Sequence, residues 1–344
     1  MKIYKNLFEK TISLENLFSA WDEFHKDKKK KKDVQKFEFN LEQNIFRLHR
    51  ELKSKNYKHG KYFSFYICDP KVRHIHKATV RDRVLHHAVF KILNPIFEPT
   101  FISTSFSCRI DKGNHKGTNE LASNLRGLSK NNSKVCFALK CDIKKYFENI
   151  NQEILLKIIQ KKIKDEEAIW LIKEITESFN PGLPIGNLTS QLFANIYLNE
   201  FDQFIKTELK IKHYFRYTDD FVIVSSSKNY LLGLIPQITS FLSEKLNLKL
   251  HPKKIVIRKF HQGIDFLGYV ILPHYCLLRP KTKKRIFKKL KTRINEYKNG
   301  LINKQTLEQS LQSYLGVLSH ANTYKLSQRL LNQYWFWLND PEVE

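Results

Sequence analysis

The sequence predicts an α+β fold, because apolar runs typical of strands alternate with longer runs that have helical periodicity. Acidic residues lie at the ends of two predicted strands, and helical patterns dominate both ends of the chain. The predicted strands are 135–142, 214–217, 221–224, 255–259 and 266–272. The predicted helices are 41–52, 80–93, 116–129, 153–160, 165–179, 188–209, 230–246 and most of 282–338.

Two helices in the first half of the chain have clear sequence signals. Apolar residues in 41–52 recur at spacings of four, three and four, which places them on one face of a helix. The helix at 80–93 is predicted to end before Pro95, because proline cannot continue the hydrogen-bonding pattern of an α-helix. A turn-rich break with the sequence NPGLP at 180–184 separates two later helices.

The segment 214–224 predicts a β-hairpin with two adjacent carboxylates at its tip. Apolar, β-prone residues lie on both sides of Asp219 and Asp220. Adjacent carboxylates at a buried edge repel and raise each other's pKa unless a cation lies between them, and a divalent metal ion would meet that need. The alternative is an ordinary polar turn, since aspartate is common in turns.

A third carboxylate, Asp142, ends the mostly apolar strand at 135–142. A carboxylate in that position is costly without a partner, although aspartate is also a good N-cap for a following helix. Asp142, Asp219 and Asp220 together predict a site that could hold two Mg²⁺ ions about 4 Å apart. Mg²⁺ prefers oxygen ligands and substrate phosphates, and Mn²⁺ is an alternative ion.

The charge of the chain favours a polyanionic partner. Lys and Arg total 60 against 34 Asp and Glu, a formal charge of +26, which favours salt-sensitive binding to nucleic acid. No apolar run approaches the roughly 20 residues of a membrane-spanning helix, and the first residues lack the apolar core of a signal peptide. Five scattered cysteines without metal-binding spacing predict free thiols. We therefore expect a cytoplasmic protein without membrane contact.

Five short motifs follow one another in the central part of the chain. They are the strand ending in Asp142, PIGNLTSQ at 184–191, YTDD at 217–220, LHPKK at 250–254 and DFLGY at 265–269. In this order they resemble motifs A, B, C and D and the following FLGY element of reverse transcriptases, specifically those of bacterial, phage and archaeal diversity-generating retroelements. The resemblance covers residues 69–269 and, more weakly, the C-terminal region.

The resemblance implies a right-hand polymerase with fingers, a palm of antiparallel sheet plus helices, and a helical thumb. Residues 1–110 would form the N-terminal helices and fingers. Residues 111–279 would form the palm with the remaining finger elements, and residues 280–344 would form the thumb.

The resemblance also assigns catalytic residues. One metal ion would activate a primer 3′-hydroxyl, and the other would hold the triphosphate and the leaving pyrophosphate. Lys254 would donate a proton to the pyrophosphate, with Lys253 as an adjacent alternative, and either could simply contact phosphate. The metal ligands implied are Asp142, Ile143, Asp219 and Asp220.

Nucleotide-binding residues are implied in the fingers and after Asp142. By resemblance, Arg73 and Arg83 contact the incoming phosphates, although either could instead be a surface arginine paired with Asp82 or a similar acid. Phe147, five residues after Asp142, would press where a ribose 2′-hydroxyl would lie, a role that is compatible with ordinary core packing.

The second motif carries the clue to the subtype. Most reverse transcriptases open this motif with a glutamine-glycine pair and end it with proline, whereas here Ile185 precedes Gly186 and Gln191 ends it. This pattern is associated with diversity-generating retroelements. Isoleucine offers only nonpolar contact to the nascent base pair, so discrimination by polar positioning should weaken. Gly186 permits close backbone approach, and Ile185 could also be a tolerated apolar residue before a turn.

Further cations are expected to contact nucleic acid. Arg109 and Lys112 lie in SFSCRIDKGNH at 105–115, which resembles the segment between fingers and palm, whereas His115 could simply cap the next helix. The run at 281–293 predicts a basic thumb face, although it could be an ordinary solvated face. Its residues expected to bind nucleic acid are Lys281, Lys284, Arg285 and Lys288.

The resemblance implies an error-prone RNA-directed DNA polymerase that uses dNTPs to copy a template-repeat RNA into cDNA, with frequent errors at adenines. The cDNA would replace a variable repeat in a target gene by mutagenic retrohoming, with a small basic oligomeric accessory protein as partner. The alternatives are an antiphage-defence, retron or group II intron-type reverse transcriptase, and a non-catalytic RNA-binding scaffold. The intact aspartates argue against the scaffold.

Overall fold

The computed structural model describes residues 2–69 and 71–340 and confirms the predicted α+β fold. Helices form the N-terminal region, surround a central antiparallel sheet and make up the C-terminal region. The last four residues of the predicted thumb lie outside the described residues.

The bounds of the elements follow the order of the chain. The α-helices of the described residues are α1 (Leu7–Ile12), α2 (Leu14–His25), α3 (Lys32–Glu38), α4 (Leu41–Lys53), α5 (Val80–Phe97), α6 (Asn114–Leu128), α7 (Tyr146–Asn149), α8 (Gln152–Lys162), α9 (Glu166–Glu177), α10 (Leu188–Gln203), α11 (Lys228–Leu246), α12 (Pro280–Lys298), α13 (Lys304–Ser319) and α14 (Tyr324–Asn339). The strands are β1 (Phe63–Ile67), β2 (Arg73–Lys77), β3 (Phe137–Asp142), β4 (Tyr214–Tyr217), β5 (Asp220–Ser225), β6 (Val256–Lys259), β7 (Ile264–Phe266), β8 (Tyr269–Ile271) and β9 (Cys276–Leu278).

The central sheet has four antiparallel strands in the order β4-β5-β3-β6. Leu139 and Cys141 of β3 enter the main hydrophobic core, which they share with α10 and α11. Because side chains alternate along a strand, Lys140 and Asp142 lie on the opposite face. The register pairs Asp142 with Asp220 of β5. The predicted hairpin is confirmed, since β4 and β5 pair directly across a two-residue turn.

A second core covers the middle of that opposite face. Ala138 of β3 and Val222 of β5 pack there with Phe106, with Leu121 of α6 and with Phe266 of β7. The apolar cover ends before the last residues of β3 and the first of β5. The ends of these strands therefore border an open cavity of about 320 Å³.

Two local predictions were wrong. The helix α5 continues through Pro95 to Phe97, because Ile96 and Phe97 are buried and their packing outweighs the hydrogen bond that proline removes. The predicted strand at 266–272 is instead the β7–β8 hairpin. Its turn residues, Leu267 and Gly268, have positive φ. Leucine rarely adopts that conformation, so a turn was not expected there.

Two peripheral units complete the fold. The strands β1 and β2 form a separate antiparallel hairpin, named here the β1–β2 hairpin. The helices α12, α13 and α14 pack around a core of their own, which also includes Tyr269 and Leu278. The division of the chain into fingers, palm and thumb stays a prediction.

Two further predictions from the sequence concerned membrane contact and the state of the cysteines. No helix within residues 2–69 and 71–340 combines the length and the apolar character needed to cross a membrane. The five cysteines all lie among these residues and are free, as their scattered spacing predicted.

A fully buried ion pair anchors the hairpin that carries two of the carboxylates. Arg216 of β4 donates from Nε and Nη2 to the two carboxylate oxygens of Asp202 in α10, at 2.7 and 2.5 Å. The Tyr214 hydroxyl donates to the same carboxylate at 2.7 Å. Arg216 Nη1 also donates to the Thr218 carbonyl oxygen at 3.1 Å. The guanidinium thus joins α10 to the turn before Asp219.

The substitution Arg216→Ala should lower the free energy of unfolding by about 3–5 kcal/mol, because it leaves the buried Asp202 carboxylate without its partner. The matched control is Lys161→Ala, which removes an exposed ion pair with Glu200 and should cost at most about 1 kcal/mol. Urea unfolding followed by circular dichroism measures both. Equal losses in the two variants would show that the buried pair does not hold the hairpin.

Candidate active site

Three carboxylates meet at one end of the central sheet. Asp142 ends β3, Asp220 begins β5, and Asp219 lies in the turn between β4 and β5. The Ile143 N–H donates to the Asp219 carbonyl oxygen at 3.1 Å, which ties the end of β3 to this turn. Thr218 has a φ of 52°, a left-handed conformation that lets the chain reverse within two residues.

The three carboxylates concentrate negative charge at a partly buried end of the central sheet. Burial raises the pKa of Asp220 to about 6, and the charges of Asp142 and Asp219 add to that effect while Lys140 opposes it. Burial and the charge of Asp142 also raise the pKa of Asp219. Raised pKa values at neighbouring carboxylates indicate a site whose charge the protein compensates incompletely.

Two lysines neutralise part of this charge. Lys254 Nζ lies 2.7 Å from Asp142 Oδ2. Lys140 Nζ lies 3.2 Å from Asp220 Oδ2 and donates to the Asp265 carbonyl oxygen at 2.9 Å. All five residues line the 320 Å³ cavity, so the lysines and carboxylates form one continuous charged surface.

The oxygen donors suit a hard divalent cation, although they are not gathered into a coordination shell. Asp220 Oδ1 is buried and has no hydrogen-bond partner. Within the described ranges 2–69 and 71–340, no three His, Cys, Asp or Glu side chains converge closely enough to hold an ion. Carboxylate oxygens are ligands that Mg²⁺ prefers, so the donor chemistry fits. The candidate ligands remain Asp142, Ile143, Asp219 and Asp220.

The segment 104–107 supports the hairpin from its outer edge. Arg216 N–H donates to the Thr104 carbonyl oxygen at 2.9 Å, and Phe106 N–H donates to the Arg216 carbonyl oxygen at 3.0 Å. The hydroxyl of Thr218 donates to Ser107 Oγ at 2.7 Å. The segment that resembles the junction of fingers and palm therefore runs beside β4 and fixes its turn.

The loop before α10 is hydrogen-bonded to the β1–β2 hairpin. His76 N–H donates to the Ile185 carbonyl oxygen at 2.9 Å, and Asn187 Nδ2 donates to the His76 carbonyl oxygen at 3.0 Å. Gly186 has a φ of 121°, and a Cβ there would lie 2.8 Å from Ile75 Cγ2. Glycine is therefore favoured both by the backbone conformation and by the close approach of β2.

A buried chain of hydrogen bonds fixes the start of α10 from the other side. His59 Nδ1 lies 2.7 Å from the Gly60 carbonyl oxygen, so Nδ1 carries the proton and Nε2 is left as an acceptor. His86 Nε2, 3.1 Å away, must then donate to His59, and His86 Nδ1 accepts from the Thr189 hydroxyl. Burial lowers the pKa of His86 to about 3, which keeps this chain neutral.

Two cations near the β1–β2 hairpin act on the carboxylate region. The charge of Lys71 partly offsets the raised pKa of Asp219, and Lys71 lines the same cavity as Asp142. The charge of Arg73, the first residue of β2, likewise opposes the rise that burial causes in the pKa of Tyr217. Both cations are exposed. The structure thus brings the predicted residue Arg73 close to the YTDD turn.

Three other predicted cations are engaged within the protein. Arg83 Nη2 donates to Asp33 Oδ2 at 2.7 Å. Arg109 Nε donates to Glu98 Oε1 at 2.8 Å, and its Nη1 donates to two backbone carbonyl oxygens. Lys112 Nζ donates to another backbone carbonyl oxygen at 2.7 Å. None of the three is among the described residues that line the carboxylate cavity, and their roles in binding stay predictions.

Phe147 and Gln191 lie on helices that flank the loop before α10. Phe147 in α7 is half-buried against Tyr146, with ring centroids 5.5 Å apart. Its carbonyl oxygen accepts from Leu183 N–H at 2.8 Å, which connects α7 to the segment that carries Ile185. Gln191 is exposed in the first turn of α10. Their contacts with nucleotide stay predictions.

The basic helix α12 touches the connection between β1 and β2. Lys289 and Arg285 both pair with Asp69, the latter at 3.5 Å. The cavity at the carboxylates is lined by Lys71 on one side and by Arg279, just before α12, on the other. The connection between β1 and β2 therefore contacts α12, and neighbours of both segments, Lys71 and Arg279, line the cavity. Three other cations of α12 that were predicted to bind nucleic acid are exposed, namely Lys281, Lys284 and Lys288.

The charged residues that line the cavity but were not predicted as site residues include Lys140, Asp265 and Arg279. Lys140 lies two residues before Asp142, so strand alternation alone places both on one face. Asp265 pairs with Arg279, but that contact depends on the β7–β8 hairpin that the sequence pattern did not reveal. The alternation of side chains along β3 could therefore have predicted Lys140, whereas no sequence pattern predicted the pair of Asp265 and Arg279.

An antiparallel sheet with carboxylates at its strand ends and helices packed against it fits the palm of a nucleic-acid polymerase. The profile described as reverse transcriptase (RNA-dependent DNA polymerase) matches residues 58–271. The chain therefore belongs to the reverse transcriptase family.

Two curated relatives resemble the chain in sequence, and one solved structure resembles it in fold. Protein YkfC of Escherichia coli K12 is 23% identical, over 59% of this chain and 64% of that protein. The group II intron-encoded protein LtrA of Lactococcus lactis subsp. cremoris is 25% identical, over 58% of this chain and 44% of that one. The chain thus spans less than two thirds of either relative. Apo telomerase from Candida tropicalis shares the fold, with a TM-score of 0.50 at 14% identity, covering 82% of this chain and 59% of that one.

Mg²⁺ should raise the melting temperature, because a cation that relieves the repulsion between carboxylates binds only the folded state. At an ion concentration 100 times Kd the gain in unfolding free energy would be about 2.7 kcal/mol. Asp219→Asn should remove most of the gain. Asp265→Asn, which changes a carboxylate that lines the cavity together with Asp142 and Asp220, should retain it. Scanning fluorimetry in MgCl₂ against NaCl of equal ionic strength makes the comparison, and equal gains in both variants would contradict the metal site.

Proposed function

We propose that this protein is an RNA-directed DNA polymerase that extends a primer by nucleotidyl transfer at the three carboxylates. The observation that carries the proposal is the register of β3 and β5, which sets Asp142 opposite Asp220 with Asp219 in the adjoining turn. Family membership supports an RNA template and dNTP substrates. When bound, two divalent ions would supply the positive charge that activates the primer hydroxyl and stabilises the leaving pyrophosphate.

Residues of the chain would hold the triphosphate and the nascent pair. Lys71 and Arg73 are exposed cations beside the carboxylates and are suited to phosphate contacts. Lys254 now pairs with Asp142, so the arrival of counter-charge at Asp142 would release its ammonium group to donate a proton to pyrophosphate. Gly186 would let the backbone of its loop approach the nascent pair.

We further propose the diversity-generating retroelement subtype. The support is the motif at 184–191, in which Ile185 stands where most reverse transcriptases have glutamine. In this subtype the enzyme would copy a template-repeat RNA with errors at adenines for mutagenic retrohoming, in the cytoplasm and with a small basic oligomeric accessory protein. The Ile185 carbonyl oxygen accepts from His76 N–H. The hydrocarbon side chain of Ile185 would offer only nonpolar surface to nucleotide selection.

A group II intron-type reverse transcriptase is the second candidate. The observation that favours it is the similarity to LtrA, whose name describes a group II intron-encoded protein. The two candidates share the carboxylates and the fold. They differ in the expected error spectrum, which therefore separates them.

The purified protein should extend a DNA primer on an RNA template in Mg²⁺, and Asp219→Ala should lower the rate at least about 100-fold, as expected for losing one electrostatic contact to the transition state. The control Asp27→Ala changes an exposed aspartate between α2 and α3 and should retain full activity. A gel-based extension assay measures both. RNA binding that needs no metal, together with no extension by the wild type, would contradict the polymerase and support the scaffold.

Sequencing of the cDNA should show errors concentrated opposite template adenines. Ile185→Gln restores a group that can both donate and accept hydrogen bonds, so it should lower the adenine error frequency by about 10-fold. Ile185→Leu keeps a nonpolar side chain of similar volume and should leave the error spectrum unchanged. Faithful copying, or errors spread evenly over the four bases, would contradict the retroelement subtype and favour the group II intron-type enzyme.

A further inference from the structure

Aromatic and imidazole rings cover one face of the β1–β2 hairpin. Tyr66 and His74 stack with centroids 4.4 Å apart and planes within 9°, and His74 lies 4.1 Å from His76. His76 lies 4.5 Å from Phe179, beyond the end of α9, and Tyr62 lies 5.6 Å from Phe179. These five residues are named here the aromatic ladder.

Tyr66 and His74 form the outer end of the ladder, whereas His76 packs on Phe179 in the segment that leads to α10. In the register of β1 and β2, Tyr66 opposes His74 and the neighbouring Phe65 opposes Ile75, so these two pairs lie on opposite faces. Ile75 is the residue that closely approaches Gly186. A base stacked on Tyr66 would therefore lie on the opposite face of the hairpin from Ile75.

The exposure and charge of the hairpin suit single-stranded nucleic acid. Tyr66 is 65% exposed, although large aromatic side chains are usually covered. Residues 58–81 contain six Lys and Arg and one acidic residue, Asp69, which is paired with α12. Lys58, Lys77 and Arg81 pair with acids outside this stretch, and the exposed cations outside these pairs are Lys61, Lys71 and Arg73. Unpaired bases stack on aromatic rings while their phosphates meet nearby cations, whereas a duplex keeps its base faces hidden.

We propose that the aromatic ladder binds unpaired bases of the RNA template. The inference rests on the proposed function, because it requires an enzyme that holds template beyond the copied pair. β2 carries His74 and His76 of the ladder and also the backbone bond to Ile185. A template strand stacked on the ladder would therefore be held by the hairpin that is also hydrogen-bonded to the loop before α10.

Binding of the full chain to RNA–DNA primer–template duplexes tests the proposal. One duplex carries a long single-stranded template overhang with 2-aminopurine as a reporter of stacking, and another carries a single unpaired template base. Tyr66→Ala should weaken binding to the long overhang by about 5- to 100-fold and leave binding to the short overhang unchanged. Tyr66→Phe keeps the ring and should bind like the wild type.

The matched control is Phe65→Ala, which removes an exposed ring from the other face of the same strand. It should bind the long overhang within about twofold of the wild type, far less than the loss expected for one stacked base. Equal losses in Phe65→Ala and Tyr66→Ala, or a loss that does not depend on overhang length, would overturn the proposal. A change in oligomeric state of Tyr66→Ala with unchanged RNA binding would instead identify a second copy of the chain as the occupant.

Primer extension on the short overhang separates this inference from the proposed function. Extension by the wild type, together with unchanged binding of Tyr66→Ala to the long overhang, overturns the aromatic ladder alone. Absence of extension, together with overhang-dependent binding that Tyr66→Ala abolishes, overturns the polymerase while leaving an RNA-binding face on the hairpin.

Discussion

The register between β3 and β5 is the constraint on which the candidate site depends. A slip of one residue would turn Asp142 into the main core and bring Cys141 to the cavity, because successive side chains point to opposite faces. The register is held by apolar packing on both faces of the sheet. Arg216 then fixes the neighbouring strand through its buried pair with Asp202. The contacts that stabilise the sheet thus do not involve the three carboxylates, whose negative charge is incompletely neutralised.

Because the stabilising contacts are separate from the carboxylates, a stable sheet can tolerate concentrated charge at the ends of its strands. Asp220 has a buried oxygen without a hydrogen-bond partner, and a group left in that state destabilises the folded protein. Lys140 and Lys254 offset part of the repulsion through ammonium groups on flexible stems. Such counter-charges can be displaced by a stronger cation or by a phosphate, as a site that must admit charged substrates requires.

Some features were predictable from sequence because they depend on local pattern. The hairpin around Asp219 was predictable since apolar runs flank two polar residues, and the α+β class followed from the alternation of periods. The turn at Leu267 was not, because leucine at positive φ is maintained by tertiary packing. Arg83 illustrates a further limit, since its partner Asp33 lies 50 residues away in the sequence. The motifs predicted which charged residues bind substrate, but only the fold shows which of these residues already pair with another residue of the chain.

The contact between Asp69 and α12 affects how nucleic acid would enter. Arg285 and Lys289 already have an internal anion, so a phosphate that binds them must compete with Asp69 as well as with ions from solution. Counterion release from RNA would then be partly balanced by ion uptake at the freed carboxylate, and the salt dependence of binding would be shallower than the charge of α12 suggests. The same exchange would break the ion pairs that join α12 to the connection between β1 and β2.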